Sequence, residues 1–235
     1  MPLPRLVLVP GLLNDADLWR DQISALAPIA TPVVADITQG SSLPELVDAV
    51  LKVGGDRFAL AGFSLGGIVA QQVMQAAPER VSHLALLSTT MLPDTPDRAA
   101  KRDRLIALAR SPARFHGFGE GILNSYLAPQ NARNPQMAER VRAMTARLGP
   151  EVFIRQSLLP RPDTRGLLRQ ITCPTLVMCG ALDQITPPKI HRQMAIEMPK
   201  SVLKILPDAG HLTPIEAPDA VADALATWLT RSPQN

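Results

Sequence analysis

Predominantly apolar runs alternate along the chain with stretches that are apolar on one side only. Leu6-Val7-Leu8-Val9 has no polar position, the pattern of a strand covered on both faces of a parallel sheet. Predominantly apolar runs, each with one or more polar positions, occur at residues 32–36, 57–60, 81–88, 174–180 and 201–206. Between them, apolar residues recur at helical spacing. Examples are Trp19, Ile23 and Leu26, then Leu46, Val47, Val50 and Leu51, residues 68–74, residues 188–198, and a closing helix near 217–230 with Val221, Leu225, Trp228 and Leu229 inward. Ser41-Ser42-Leu43-Pro44-Glu45 is a capped helix start, with proline tolerated in the first turn. Strands alternating with helices predict an α/β fold, a doubly wound and mostly parallel sheet of about six strands.

The rhythm changes from Met91 to about Arg169. No strand pattern appears there, but residues 97–110, 135–148 and 151–159 have helical periodicity with Arg and Lys on the polar side. This predicts a core domain of residues 1–91 and 170–235 with a helical cap, residues 92–169, inserted after the fourth strand.

Length and composition refine this picture. A chain of 235 residues suits one large domain with an insertion. Aromatic residues make up only 3%, so a pocket must be lined mainly by Leu, Met, Ile and Ala. The formal net charge of +3 conceals a division: residues 92–170 hold fourteen Lys/Arg against seven Asp/Glu, and the remainder holds ten against fourteen. The basic residues are not interleaved with aromatics suited to base stacking, which argues against nucleic acid. No apolar stretch approaches membrane-spanning length, and the run at 6–9 is too brief for a signal sequence. Cys173 and Cys179 lie six residues apart on one expected strand, roughly 20 Å at strand rise, too far for a disulfide. The expectation is a reduced cytoplasmic protein, a monomer or dimer, with no membrane association.

The chemistry collects at the carboxyl ends of the strands, where such sheets place functional residues. Gly62-Phe63-Ser64-Leu65-Gly66 lies between a strand and a helix, the setting that gives G-x-S-x-G its meaning. Gly62 and Gly66 are expected to remove Cβ atoms that would collide across the tight turn. Asp183 follows the fifth strand and His211 the sixth, so a serine, a carboxylate and a histidine fall at one edge in that order. A serine hydroxyl needs a base to become a nucleophile, and a histidine oriented by a carboxylate supplies one. The backbone N–H groups of Leu12, after Gly11, and of Leu65, at the helix start, are the candidate oxyanion donors. Asp94 is the rival acid. His83, His116 and His191 are expected to be structural, and Glu216 to serve the start of the last helix.

Three motifs carry a family resemblance: Gly62-Phe63-Ser64-Leu65-Gly66-Gly67, Gly180-Ala181-Leu182-Asp183 with Thr186-Pro187-Pro188, and Ala209-Gly210-His211 with Pro214-Ile215-Glu216-Ala217-Pro218. They resemble the α/β-hydrolase superfamily, and residues 10–19 resemble the oxyanion loop of its small bacterial carboxylesterases, a group that includes esterases of acyl-carrier-bound methyl esters. Many relatives have His-Gly where this chain has Pro10-Gly11, and many begin with two further strands. The resemblance implies hydrolysis of a carboxylic ester through an acyl-enzyme, with no metal or organic cofactor. Thioester cleavage, acyl transfer, carbon–carbon bond hydrolysis or a ligand-binding receptor are the alternatives on the same constellation. Met91, Phe115, Phe118, Tyr126, Ile185 and Leu212 are the expected pocket-lining residues. The basic residues Arg98, Lys101, Arg102, Arg104, Arg133, Arg140, Arg142 and Arg147 are expected to steer an acidic partner: an acyl carrier protein, as the resemblance implies, a coenzyme A thioester or a free carboxylate substrate.

Overall fold

The computed structural model describes residues 3–111, 115–198 and 200–231. Its strands are β1 (Arg5–Val9), β2 (Thr31–Val34), β3 (Phe58–Phe63), β4 (Val81–Leu87), β5 (Thr175–Gly180) and β6 (Ser201–Leu206). They form one sheet in the order β2-β1-β3-β4-β5-β6, and every pairing is parallel. The registers Val9↔Gly62 and Phe63↔Leu87 bring the ends of β1, β3 and β4 level, so the loops that follow them meet.

Because successive strand residues face opposite sides, the apolar runs feed two cores. Leu6, Leu8, Ala61, Phe63, Leu87 and Met178 pack on one face with Trp19 and Trp228. Val7, Val9, Leu60, Leu86 and Val177 pack on the other with Val50, Val69 and Met194. Helices α1 (Arg20–Leu26) and α11 (Pro218–Leu229) thus cover the first face, and α2 (Leu43–Gly54), α3 (Leu65–Ala76) and α9 (Pro188–Glu197) the second. Trp19 and Trp228 are essentially inaccessible, and burying a side chain of that size is worth about 3 kcal/mol or more.

Between β4 and β5 lie α4 (Pro96–Ala109), α5 (Glu120–Tyr126), α6 (Pro129–Ala132), α7 (Pro135–Leu158) and α8 (Arg165–Leu168), with no strand among the described residues. The two helical stretches expected at 135–148 and 151–159 are the arms of α7, which breaks at Gly149 (φ +77°) ahead of Pro150. Four short helices carry too little periodicity to be read from sequence: α5, α6, α8 and α10 (Thr213–Glu216). Leu229 is half-buried, whereas Val221, Leu225 and Trp228 point fully inward as expected. Cys173 lies two residues before β5 rather than within it, and both cysteines are free thiols. No helix among the described residues is long and apolar enough to cross a membrane.

Candidate active site

The turn between β3 and α3 holds Ser64 at φ +52°, ψ −114°, a conformation costly for a residue with a Cβ. Its N–H donates to Leu87 O (2.9 Å), and its carbonyl accepts from Gly67 N (3.0 Å) and Ile68 N (3.2 Å), so the strain is held from both sides. A Cβ on Gly62 would sit 2.3 Å from Gly66 O, across the turn as expected. The role of Gly66 differs from expectation: its Cβ would meet Val9 O and Pro10 O, both at 2.3 Å, so it lets the end of β1 approach α3 rather than clearing the turn itself. That approach brings the loop after β1 to Ser64.

Ser64 Oγ lies 3.0 Å from His211 Nε2, and His211 Nδ1 lies 2.9 Å from Asp183 Oδ2 and 3.1 Å from Oδ1. The loops carrying the acid and the histidine are knitted together, Ala181 N donating to Leu206 O (2.7 Å) and Leu182 N to Ala209 O (3.0 Å). Asp183 also accepts from Ile185 N, Thr186 N and Thr186 Oγ1, each at 2.8 Å. Burial alone would push this carboxyl up, but the charge of His211 and the hydrogen bonds from His211 and Thr186 together hold it below its usual range. The Asp183 side chain is therefore a fixed anion against His211 Nδ1, leaving Nε2 to accept from the serine hydroxyl. The imidazole sits between Phe63 (centroids 5.2 Å apart) and the edge-on ring of Tyr126 (5.1 Å, 85°), and the backbone N–H of His211 donates to Tyr126 O (2.7 Å). Burial and the Asp183 charge push the Tyr126 phenol up to about 12, so that ring presents a neutral wall.

Above Ser64 opens a cavity of about 850 Å³, within the size of small-molecule sites. Leu12 and Leu65 line it, and neither of their N–H groups donates a hydrogen bond among the described residues. Of the expected lining residues, Phe118, Tyr126 and Ile185 border the cavity. Three do not. Met91 is buried in the core on the α3 side of the sheet, Leu212 is buried in the opposite core, and Phe115 turns onto Phe153 (5.8 Å) instead. The apolar walls missing from the expectation are Ile68, Leu105, Ile122, Phe153 and Ile190. Asp94, the rival acid, lies in the cavity wall paired with Arg102 and Arg98 (3.6 Å), whereas the carboxylate beside His211 is that of Asp183.

Four further residues set the geometry. Gln156 in α7 is fully buried; its Oε1 accepts from Leu13 N (2.7 Å), in the loop beside Leu12, and its Nε2 donates to Ile37 O (3.1 Å). Nothing in sequence could join positions 143 apart. Thr186, three residues after Asp183, does follow a spacing at which side chains cap a turn, and that signal was available. His191 accepts the Thr89 N–H at Nε2 (3.0 Å), and burial pushes it down to about 4, so it is a neutral ring fastening the loop after β4. Glu216 does not serve the last helix. Its Oε2 accepts from Ala128 N (2.7 Å), Asn131 Nδ2 (2.9 Å) and Gly210 N (3.0 Å), tying the segment after α5 to the histidine loop.

Half of the basic residues expected to steer a partner are committed to ion pairs within the fold. Arg140 pairs with Asp21 (2.6 Å) and Asp17 (3.4 Å) and is largely buried, Arg147 pairs with Asp15 (2.7 Å), and Arg98 and Arg102 share Asp94. The Arg140 and Arg147 pairings clamp α7 to the segment holding Asp15, Asp17 and Asp21 and take Arg140 out of any exposed steering surface. Arg104, Arg133 and Lys101 remain exposed, and Arg142 is half-buried. Among the described residues no group of three or more His, Cys, Asp or Glu side chains is placed to hold a metal ion.

Residues 6–224 match the model of a family described as the alpha/beta hydrolase family. A pimeloyl-[acyl-carrier protein] methyl ester esterase of Chromobacterium violaceum is 32% identical over 180 residues, covering 70% of this chain and 68% of that protein. RutD of Klebsiella pneumoniae (strain 342), provisionally named a carbamate hydrolase, is 28% identical over 96% of this chain and 92% of its own. Among solved structures, a thermophilic esterase from Thermogutta terrifontis, with malate bound, superposes with a TM-score of 0.85 at 27% identity, covering 97% of this chain and 90% of that one.

Proposed function

Because the chain belongs to the alpha/beta hydrolase family, we propose that it hydrolyses a carboxylic ester through an acyl-enzyme formed on Ser64. The observation that carries this reading is the unbroken line Ser64 Oγ, His211, Asp183 under a cavity that two unpaired N–H groups also border. In the proposed reaction, Ser64 Oγ attacks the ester carbonyl carbon while His211 Nε2 takes the hydroxyl proton. The carbonyl oxygen becomes an oxyanion and accepts from Leu12 N and Leu65 N, at the positive end of α3. The carbon–oxygen bond to the alcohol breaks, and the alcohol leaves with the proton from His211. Water then attacks the acyl-enzyme and gives its proton to His211. The acid departs as that proton returns to Ser64 Oγ. Asp183 keeps its negative charge throughout and stabilises the imidazolium in both halves.

Residues 92–169 act in this reading as a cap over the sheet edge, since Phe118, Ile122, Tyr126 and Phe153 border the cavity. The named activities of the esterase relatives support ester chemistry. A panel of p-nitrophenyl esters from acetate upward, run on wild type and Ser64→Ala, tests the reading. Ser64→Ala is expected to lose essentially all turnover with an unchanged circular dichroism spectrum, and wild type to be labelled by a fluorophosphonate. Substantial turnover by the folded variant would sink the nucleophile assignment, and an unlabelled, inactive wild type would point to a receptor instead.

A further inference from the structure

One wall of the cavity is out of keeping with the rest. Most of the lining is apolar, yet Arg98, Lys101, Arg102 and Arg161 all border it against a single acid, Asp94. Both Arg98 and Arg102 share that acid, so its charge is already spent. Arg161 has no carboxylate within ion-pair distance among the described residues; NH1 donates to Leu159 O (2.7 Å) and NH2 to Gln156 O (3.5 Å). Two neutral carbonyls and the field of Asp94, which Arg98 and Arg102 share, compensate its charge only in part. Burial, then the neighbouring Arg102 charge, push Arg161 down to about 10, so it stays protonated near neutrality in surroundings that disfavour it. A poorly compensated cation beside a cleft marks a functional site more often than a structural one.

A second observation is independent of charge. Ser157 lines the same cavity, is almost wholly buried, and its hydroxyl has no hydrogen-bond partner among the described residues. A buried hydroxyl left unpaired is rare unless a water or ligand completes it. Cation excess and an idle hydroxyl four residues apart suit a planar group with two acceptor oxygens, which a guanidinium binds in fork geometry. Ile68, Leu105, Ile122 and Phe153 give the same cavity room for methylenes.

We propose that Arg161 and Ser157, with Arg98 and Arg102 behind them, form a carboxylate subsite, and that the substrate is an ester carrying a free carboxylate at the far end of an apolar chain. This inference deepens the esterase reading and rests on it.

The test compares methyl half-esters of straight-chain dicarboxylic acids with neutral methyl esters of equal chain length, by kcat/KM. Carboxylate-bearing alcohol esters of acetate, and coenzyme A thioesters of matched length, form two further arms. Wild type is expected to favour a carboxylate-bearing ester over its neutral match by about ten- to a hundredfold at one preferred length. Whichever carboxylate arm shows this preference tells on which side of the ester the charge lies. In Arg161→Gln the ratio should fall towards one. Should that variant not fold, Arg98→Gln combined with Ser157→Ala serves, with a smaller fall. Calorimetric binding of the half-esters to Ser64→Ala gives a readout independent of turnover. If no ester is hydrolysed, the esterase reading fails, and binding still decides the subsite. A wild-type ratio near one at every length in both carboxylate arms, an undiminished ratio in the folded variants, or a stronger preference for the coenzyme A thioester would overturn the proposal. Without turnover, equal binding of charged and neutral esters would overturn it.

Discussion

Replacing Gln156 by leucine tests whether the loop after β1 is held for chemistry from a helix far away in sequence. The side chain is fully buried and makes two hydrogen bonds, from Leu13 N at 2.7 Å and to Ile37 O at 3.1 Å. Leucine is close in volume but satisfies neither group. Each buried group left unpaired costs about 1–3 kcal/mol, so the two together should lower stability by roughly 2–6 kcal/mol. Leu13 sits at φ +55°, so its backbone is strained and depends on that bond. Once it is released, Leu12 N–H should no longer point reliably at the oxyanion. Losing one such donor costs about 3–4 kcal/mol of barrier, which sets the ceiling on the effect. The expected outcome is a fall in kcat of about tenfold to a thousandfold with KM little changed, measured on p-nitrophenyl esters below the variant's unfolding temperature. Urea unfolding gives the stability term separately. Gln156→Glu supplies the control, because a protonated carboxyl both accepts and donates, so its kcat should recover as pH falls. A leucine variant that is destabilised but turns over with wild-type kcat would refute the positioning role and leave Gln156 a purely structural strut.

Three further expectations follow from the same geometry. Gly66→Ala drives a Cβ towards Val9 O and Pro10 O at 2.3 Å; the overpacking should cost about 1–3 kcal/mol, and displacement of the β1 loop should lower kcat on p-nitrophenyl esters, whereas an unchanged kcat in the folded variant would contradict that role. Asp183→Asn should lower kcat by about 10⁴-fold. Because the folded carboxyl of Asp183 lies below its unfolded value, it contributes stability that is complete above about pH 4 and lost as pH falls through the folded value; acid unfolding of the variant should lack that component, and an identical acid limb would contradict the assignment. Arg140→Glu places a carboxylate against Asp17 and Asp21 and should lower the melting temperature at low salt; a fully stable variant would show that the clamp contributes nothing.

Much of the candidate site at the sheet edge was legible in the residues because it depends on short-range order. Predominantly apolar runs mark the strands, so all six and their carboxyl ends could be counted without coordinates. Ser64, Asp183 and His211 each lie just beyond such an end, and parallel pairing leaves the loops no other place to gather. Gly62 was equally legible, since its close approach lies within one turn.

Elsewhere the outcome depended on which distant residue met which. Gly66 looks like Gly62 in sequence, but its obstacle is the end of β1. Glu216 resembles a helix-start residue and instead ties Ala128, Asn131 and Gly210 together. Met91 and Leu212 are apolar residues near the edge, and only packing decides that they turn into the two cores while Ile68 and Leu105 face the cavity. The basic character of residues 92–170 was plain from composition, but a charge count carries no partners. Tertiary structure paired Arg140 and Arg147 with the acids of residues 15–21 and left Arg161 facing the cavity with no carboxylate at ion-pair distance among the described residues. Local sequence determines the strand, the elbow and the order of the reacting groups, because those follow from periodicity and backbone sterics. The walls that choose a substrate arise from contacts across more than a hundred residues, where the energy of each pairing depends on geometry that only the folded chain supplies.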